Sequence, residues 1–168
     1  MTILVAGLGN VFCSDDAFGV SVVEELARRS LPVGVEVRDF GIRGIHLAYQ
    51  LLEPYDLVVL IDAVERGGPP GTLYLIEAEP GAEPGPEVSV DAHDLGPDAV
   101  LSLVPRLGGT VGRVVVVGCE PAGIDAGIGL SPSVQDAVGT AVQLVIDLVT
   151  GKVAVPADGP VGVTEGKL

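Results

Sequence analysis

Four stretches place acids or an imidazole where apolar runs end: AGLGNVFCSDDAFG (6–19), DFGIRG (39–44), LIDAV (60–64) and DAHDLG (91–96). A carboxylate at such a point is costly unless it is hydrogen-bonded or held to a cation. Asp16, Asp62 and His93 together offer two carboxylates and an imidazole. That donor set suits a first-row divalent metal such as zinc, nickel, manganese or iron, and the same groups suit general acid and base chemistry. No HExxH or CxxC pair marks a local metal site, so only the fold can bring the three together.

Gly7 and Gly9 follow an apolar run, as in loops that cradle phosphate. Phe12, however, stands where the third glycine of a dinucleotide fingerprint falls, and Asp15 and Asp16 occupy the place of the pyrophosphate. No GxxxxGK[ST] occurs. The loop is therefore expected to present acid to a cation. One of its two aspartates is expected to cap the helix that follows, leaving the other for function. Cys13 suggests a rival, a Cys13 and His93 dyad for acyl transfer, but the acids beside it work against a thiolate nucleophile.

The elements that must position these groups alternate along the chain. TILVA (2–6), VEVRD (35–39), DLVVLID (56–62) and RVVVVGC (113–119) read as strands, and TLYLIE (72–77) alternates like an edge or antiparallel strand. Helices are expected over 18–30, 44–53, 94–108 and 131–151, the last with Ser131 as cap, Pro132 in its first turn and Gly151 as its stop. The pattern predicts a single three-layer α/β domain over residues 1–151, its twisted, mostly parallel sheet covered by helices on both faces, with room for one antiparallel strand. In such a sheet the carboxyl ends of the strands share one edge, where ligands bind. Asp16, Asp39 and Asp62 are expected at that edge, and His93 can reach it from the loop before a helix. His46 reads as a packing residue of its helix. Residues 77–92, rich in Pro, Gly and Glu, read as a long surface loop, and 152–168 as a flexible tail.

Composition narrows the partners. Nine basic residues against 23 acids give a net charge of −14, which disfavours nucleic acid and anionic lipid. No apolar run reaches the roughly 20 residues of a membrane helix, and the opening MTILVAGLGN reads as a core strand rather than a signal peptide. Two cysteines without a zinc spacing suit a reducing compartment, so a cytoplasmic location is expected.

GLGNVFCSDDAFG, DFGIRG, LIDAV, DAHDLG and the late GIGLSPSV follow one another in the order found in the nickel-iron hydrogenase maturation endopeptidases. The chain resembles that family from about residue 2 to residue 150. The resemblance implies metal contacts at Asp16, Asp62 and His93, with Asp39, Gly41 and Gly44 in a motif beside them as second-layer or substrate-contacting residues. It further implies an endopeptidase that removes the C-terminal peptide of a hydrogenase large-subunit precursor once nickel is installed. The nickel is then carried by the substrate, and no organic cofactor is expected. Two other readings fit the same residues: a metallohydrolase holding its own divalent metal, and a noncatalytic module that checks the metal state of the large subunit.

Overall fold

The computed structural model describes residues 1–78 and 95–154; His93, most of the 77–92 loop and most of the 152–168 tail lie outside them. Five strands form one sheet: β1 (Ile3–Leu8), β2 (Val35–Gly41), β3 (Leu57–Ala63), β4 (Leu73–Ala78) and β5 (Arg113–Cys119). Their order is β2-β1-β3-β5-β4, with the first four parallel and β4 antiparallel to β5 at the edge. TLYLIE is thus the expected antiparallel strand, moved by one residue.

The central strands are apolar throughout because both of their faces are covered. Along β1, Ile3 and Val5 join one core while Leu4, Ala6 and Leu8 join the other, following the two-residue period of a strand. The first core packs beneath α1 (Phe18–Leu26) and α4 (Pro132–Val149), the second beneath α2 (Gly44–Gln50) and α3 (Pro97–Arg106). In α4 the buried Val134, Ala137, Val138, Ala141, Val142, Val145, Leu148 and Val149 form one stripe. Gly151, at φ +74°, ends the helix in the left-handed conformation that glycine adopts freely.

Three helices are shorter than their patterns suggest, α3 among them, which spans Pro97–Arg106 within the expected 94–108. α1 stops at Leu26, its last buried residue, because Arg28, Arg29 and Ser30 are exposed and Pro32 turns the chain away. α2 stops at Gln50, a few residues ahead of Pro54, although the next residue, Leu51, is still buried.

β1 leads through α1 to β2 on one side, while β3 lies on its other side, so the chain changes direction between β1 and β3. A crevice opens at such a point beyond the carboxyl ends of the strands. The start of α1 comes very close to it. A Cβ added to Gly19 would lie 2.1 Å from the Ile61 carbonyl oxygen and 2.3 Å from that of Leu8. Glycine therefore lets the helix rest directly on the main chain of β1 and β3. Gly19→Ala is expected to destabilise the protein by about 2 kcal/mol or more, lowering its melting temperature by roughly 5 °C. Calorimetry or thermal circular dichroism checks this, and an unchanged melting temperature would contradict the close approach.

Candidate active site

After Leu8 the chain turns at Gly9, whose φ of +129° suits glycine. A side chain there would press its Cβ to within 1.8 Å of the Asp16 carbonyl oxygen. The segment between is folded on itself. The Asn10 side-chain oxygen accepts from Phe12 N at 2.9 Å, and Asp16 Oδ2 accepts from Asn10 N at 2.8 Å. A 3-10 turn over Ser14–Ala17 then leads into α1. This winding turns a half-buried Asp16 back toward the sheet edge.

Asp62 occupies the penultimate position of β3 and is only 8% exposed. Its Oδ1 accepts from the next main-chain amide, Ala63 N, at 2.8 Å. Both acids therefore have one oxygen fixed by a backbone N–H, which orients each carboxylate.

Asp16 and Asp62 line one small cleft together with Leu8, Gly9 and Asn10 of the first loop, Gly41 and Ile42 after β2, and Leu95 and Gly96 before α3. The described lining holds two acids and no basic residue, so its field favours a cation. Among the described residues no three His, Cys, Asp or Glu side chains lie close enough to hold a metal ion between them. His93 lies outside the described residues, while Leu95, two positions after it, forms part of the cleft wall.

The DFGIRG segment divides its work. The β1–β2 register shifts between Gly7 and Leu8, where Leu8 pairs with Gly41 instead of Phe40. Gly41, at φ +50°, absorbs this bulge and accepts from Gly9 N at 3.0 Å, tying the second loop to the first. Arg43 closes the turn by donating to the Asp39 and Phe40 carbonyl oxygens. Asp39 lies at the expected edge, yet its side chain is exposed and does not line the cleft. Gly44 is buried; a Cβ on it would stand 2.6 Å from Leu95 Cβ, so its lack of one lets the cleft wall close up. His46 is exposed on α2 rather than packed.

Neither aspartate of the first loop caps its own helix, contrary to the sequence expectation, since neither the 3-10 turn nor α1 has a side-chain cap. Asp15 instead crosses to the far end of the chain. Only 1% exposed, it accepts from Ser131 N at 2.7 Å, Ser131 Oγ at 2.9 Å, Ala122 N at 2.8 Å and Gly123 N at 3.3 Å. It thereby supplies the negative charge that the N-terminus of α4 lacks in its own first turn. Ser131, the expected cap, gives its hydroxyl to Asp15 rather than to the helix. Burial pushes the Asp15 carboxyl up, but the hydrogen bonds from Ser131, Ala122 and Gly123 outweigh it and hold the group below its ordinary value.

Glu120, just past β5, was likewise not singled out by sequence, although it too ends an apolar run. It is 6% exposed and accepts from Arg66 N, Gly67 N and the Tyr74 hydroxyl at 2.7, 2.8 and 3.2 Å. These bonds fix the loop that leaves Asp62. Burial foremost, then Asp15 and Glu120, push the Cys119 thiol up to about 12, so it is no nucleophile at neutral pH. Cys13, half-buried and unbridged, pairs its backbone with Gly127 and is not part of the cleft lining.

A cation-favouring cleft at a β1/β3 switch point can be set beside known proteins. The hydrogenase maturation protease family model (HycI) matches residues 20–148. The chain belongs to the hydrogenase maturation protease family. It is 33% identical over 144 residues to the hydrogenase expression/formation protein HupD of Bradyrhizobium diazoefficiens, covering 84% of this chain and 74% of that protein. It is 31% identical to the hydrogenase 2 maturation protease of Escherichia coli, covering 87% of this chain and 89% of that one. The solved hydrogenase maturating endopeptidase HybD from E. coli superposes with a TM-score of 0.74 at 30% identity, over 90% of this chain and 94% of the other. The hydrogenase 2 maturation peptidase of Thaumarchaeota archaeon SCGC_AB-539-E09 superposes with a TM-score of 0.69 at 33% identity, over 89% and 99%. This maturation protease is thus an endopeptidase by family, and no described helix is long and apolar enough to cross a membrane.

The Asp15 tie carries a prediction for the protease. Its depressed folded value means that the carboxylate contributes stability above the unfolded pKa, about 3.9, and loses it as pH falls through the lower folded value. Asp15→Asn is expected to cost about 3 kcal/mol at neutral pH and to flatten the stability profile below pH ~4. Urea unfolding from pH 3 to 7 measures both effects. Parallel profiles for wild type and variant would show that Asp15 carries no such linkage.

Proposed function

We propose that this chain removes the C-terminal extension of a nickel-iron hydrogenase large-subunit precursor after nickel insertion. Asp16, Asp62 and His93 complete the coordination of the nickel that the substrate itself carries. The observation that carries this reading is the meeting of Asp16 and Asp62, 46 residues apart in sequence, in one cleft without a basic residue among its described lining. Two oriented acids lining one cleft set up a negative field there, and a divalent ion arriving with the substrate is drawn to it.

Cleavage follows from ordinary amide chemistry. A carboxylate beside the cation takes a proton from water as the water oxygen attacks the scissile carbonyl carbon. The same carboxyl then returns that proton to the departing amide nitrogen as the C–N bond breaks, leaving a new carboxyl terminus on the large subunit and a free amine on the released peptide. Recognition of a metal-loaded substrate also gives the reaction its timing, since an empty precursor offers the acids no counter-charge. Gly41 and Gly44 shape the wall along which the peptide lies, and Asp39 stands at its rim.

Intact-mass analysis of a cognate precursor, incubated with the protein in nickel-loaded and nickel-free forms, tests the proposal. Loss of a C-terminal peptide only from the loaded form is expected. Asp16→Asn, Asp62→Asn and His93→Ala are each expected to slow that loss by about 100-fold or more. Equal cleavage of both forms would favour a protease that holds its own metal, and binding without mass loss a noncatalytic checkpoint.

A further inference from the structure

The exposed large apolar side chains among the described residues are unevenly spread. Six of them, Val11, Phe12, Ile42, Ile45, Ile124 and Ile128, lie on segments at the carboxyl edge of the sheet, around the cleft. Phe12 is 65% exposed and Ile128 85%. Such residues stand in water at a cost, and their gathering at one edge marks an interaction surface.

The backbone beneath them is stiffly held. The first loop and the loop after β5 are stitched by Gly127 N to Phe12 O at 2.8 Å, Ser14 N to Gly127 O at 2.9 Å, Asp15 N to Gly123 O at 3.2 Å and Ser14 Oγ to Asp125 O at 2.8 Å. Asp15 locks both loops to α4 from below. Phe12 and Ile128 thus stand exposed on two stitched loops that form a preformed platform, which lowers the ordering cost of binding. The cleft is small, about 270 Å³ even with its open mouth counted. Affinity for a folded protein requires an interface on the order of 1,000 Å² or more, so most of the contact must lie outside the cleft.

Charge selects the occupant. The two stitched loops carry no Lys or Arg, and of their four acids Asp125 is exposed and Asp16 half-buried, while Asp15 and Glu120 lie inside. A second copy of this chain, also at −14, is repelled, as is an anionic membrane. What fits is a protein face that is apolar at its centre and basic at its rim. We infer that the shoulder formed by Phe12 and Ile128, with Val11 and Ile124, is the docking surface for the body of the large-subunit precursor, gripping it while its C-terminal segment enters the cleft. This inference rests on the proposed endopeptidase function and names the surface that confers its affinity.

A double variant, Phe12→Ser with Ile128→Ser, tests it through cleavage kinetics on nickel-loaded precursor and through calorimetric binding to the same precursor. KM and the dissociation constant are expected to rise roughly tenfold or more, with kcat at saturation unchanged. Val33→Ser, at a fully exposed position by the opposite edge, is expected to change neither. Melting temperatures establish that the variants fold; if the double variant melts lower, Ile128→Ser alone, at the more exposed of the two positions, carries the comparison. Wild-type affinity and KM in the variant would overturn the docking surface while leaving the endopeptidase reading in place. Binding by the wild type that the variant weakens, without any cutting, would sustain the surface and overturn that reading. A wild type that neither binds nor cuts the cognate precursor would remove both. A wild-type dimer in sedimentation that the double variant dissolves would show a second copy as the occupant and overturn the proposal.

Discussion

How closely a helix can approach a sheet decides where the acids of this protein meet. Ordinary side chains hold a helix some 10 Å from a strand layer, but at its first turn α1 has Gly19, and β1 faces it with Gly7. A Cβ on Gly7 would stand 2.5 Å from the Gly19 carbonyl oxygen, so main chain rests on main chain. The 3-10 turn before α1 is drawn down over the carboxyl ends of β1 and β3, and Asp16 with it. With bulkier residues at either place the turn would ride higher and the cleft would lose one of its acids.

The neighbouring acids of the SDD sequence show how one step along a 3-10 turn separates structural from chemical work. Successive residues there point about 120° apart. Asp15 points into the protein, where four donors from the other end of the chain saturate it; Asp16 points to the edge, where one main-chain amide orients it. Glu120 and Asp62 repeat this division one strand apart. Glu120 is occupied by two amides and a hydroxyl, whereas Asp62 faces the cleft.

Much of this was legible in the sequence, and what was not has a common cause. RVVVVGC matches β5 residue for residue, and the other strands were displaced by a residue or two, since a run covered on both faces announces itself by composition. The end of α1 was overextended because the exposed Arg28 and Arg29 continue a helical pattern past the last buried residue, and that of α2 because the buried Leu51 continues the apolar stripe past its last turn. Asp16 and Asp62 were found because the carboxyl-edge rule needs only strand ends and a parallel sheet. Asp39 lies at the edge as expected but outside the cleft; the bulge falls after it, between the Gly7–Asp39 and Leu8–Gly41 pairs, and brings Gly41 to the cleft wall, and periodicity does not show bulges. The partners of Asp15, and the role of Glu120, escaped because those bonds span 107 to 116 and 46 to 54 residues. The one local hint was electrostatic: α4 opens with Ser-Pro-Ser and no acid, and an anion at a helix start is favoured by the helix dipole.

The bond from Asp15 to Ser131 also orders events in time. On the ribosome the first loop emerges early and remains without its anchor until more than a hundred further residues have been made, because its partner opens the last helix. The platform beneath Phe12 and the seat of Asp16 therefore take shape only after Ser131 has emerged. A chain that stops before α4 would lack an ordered cleft, so α4 must be in place before the cleft can receive a precursor.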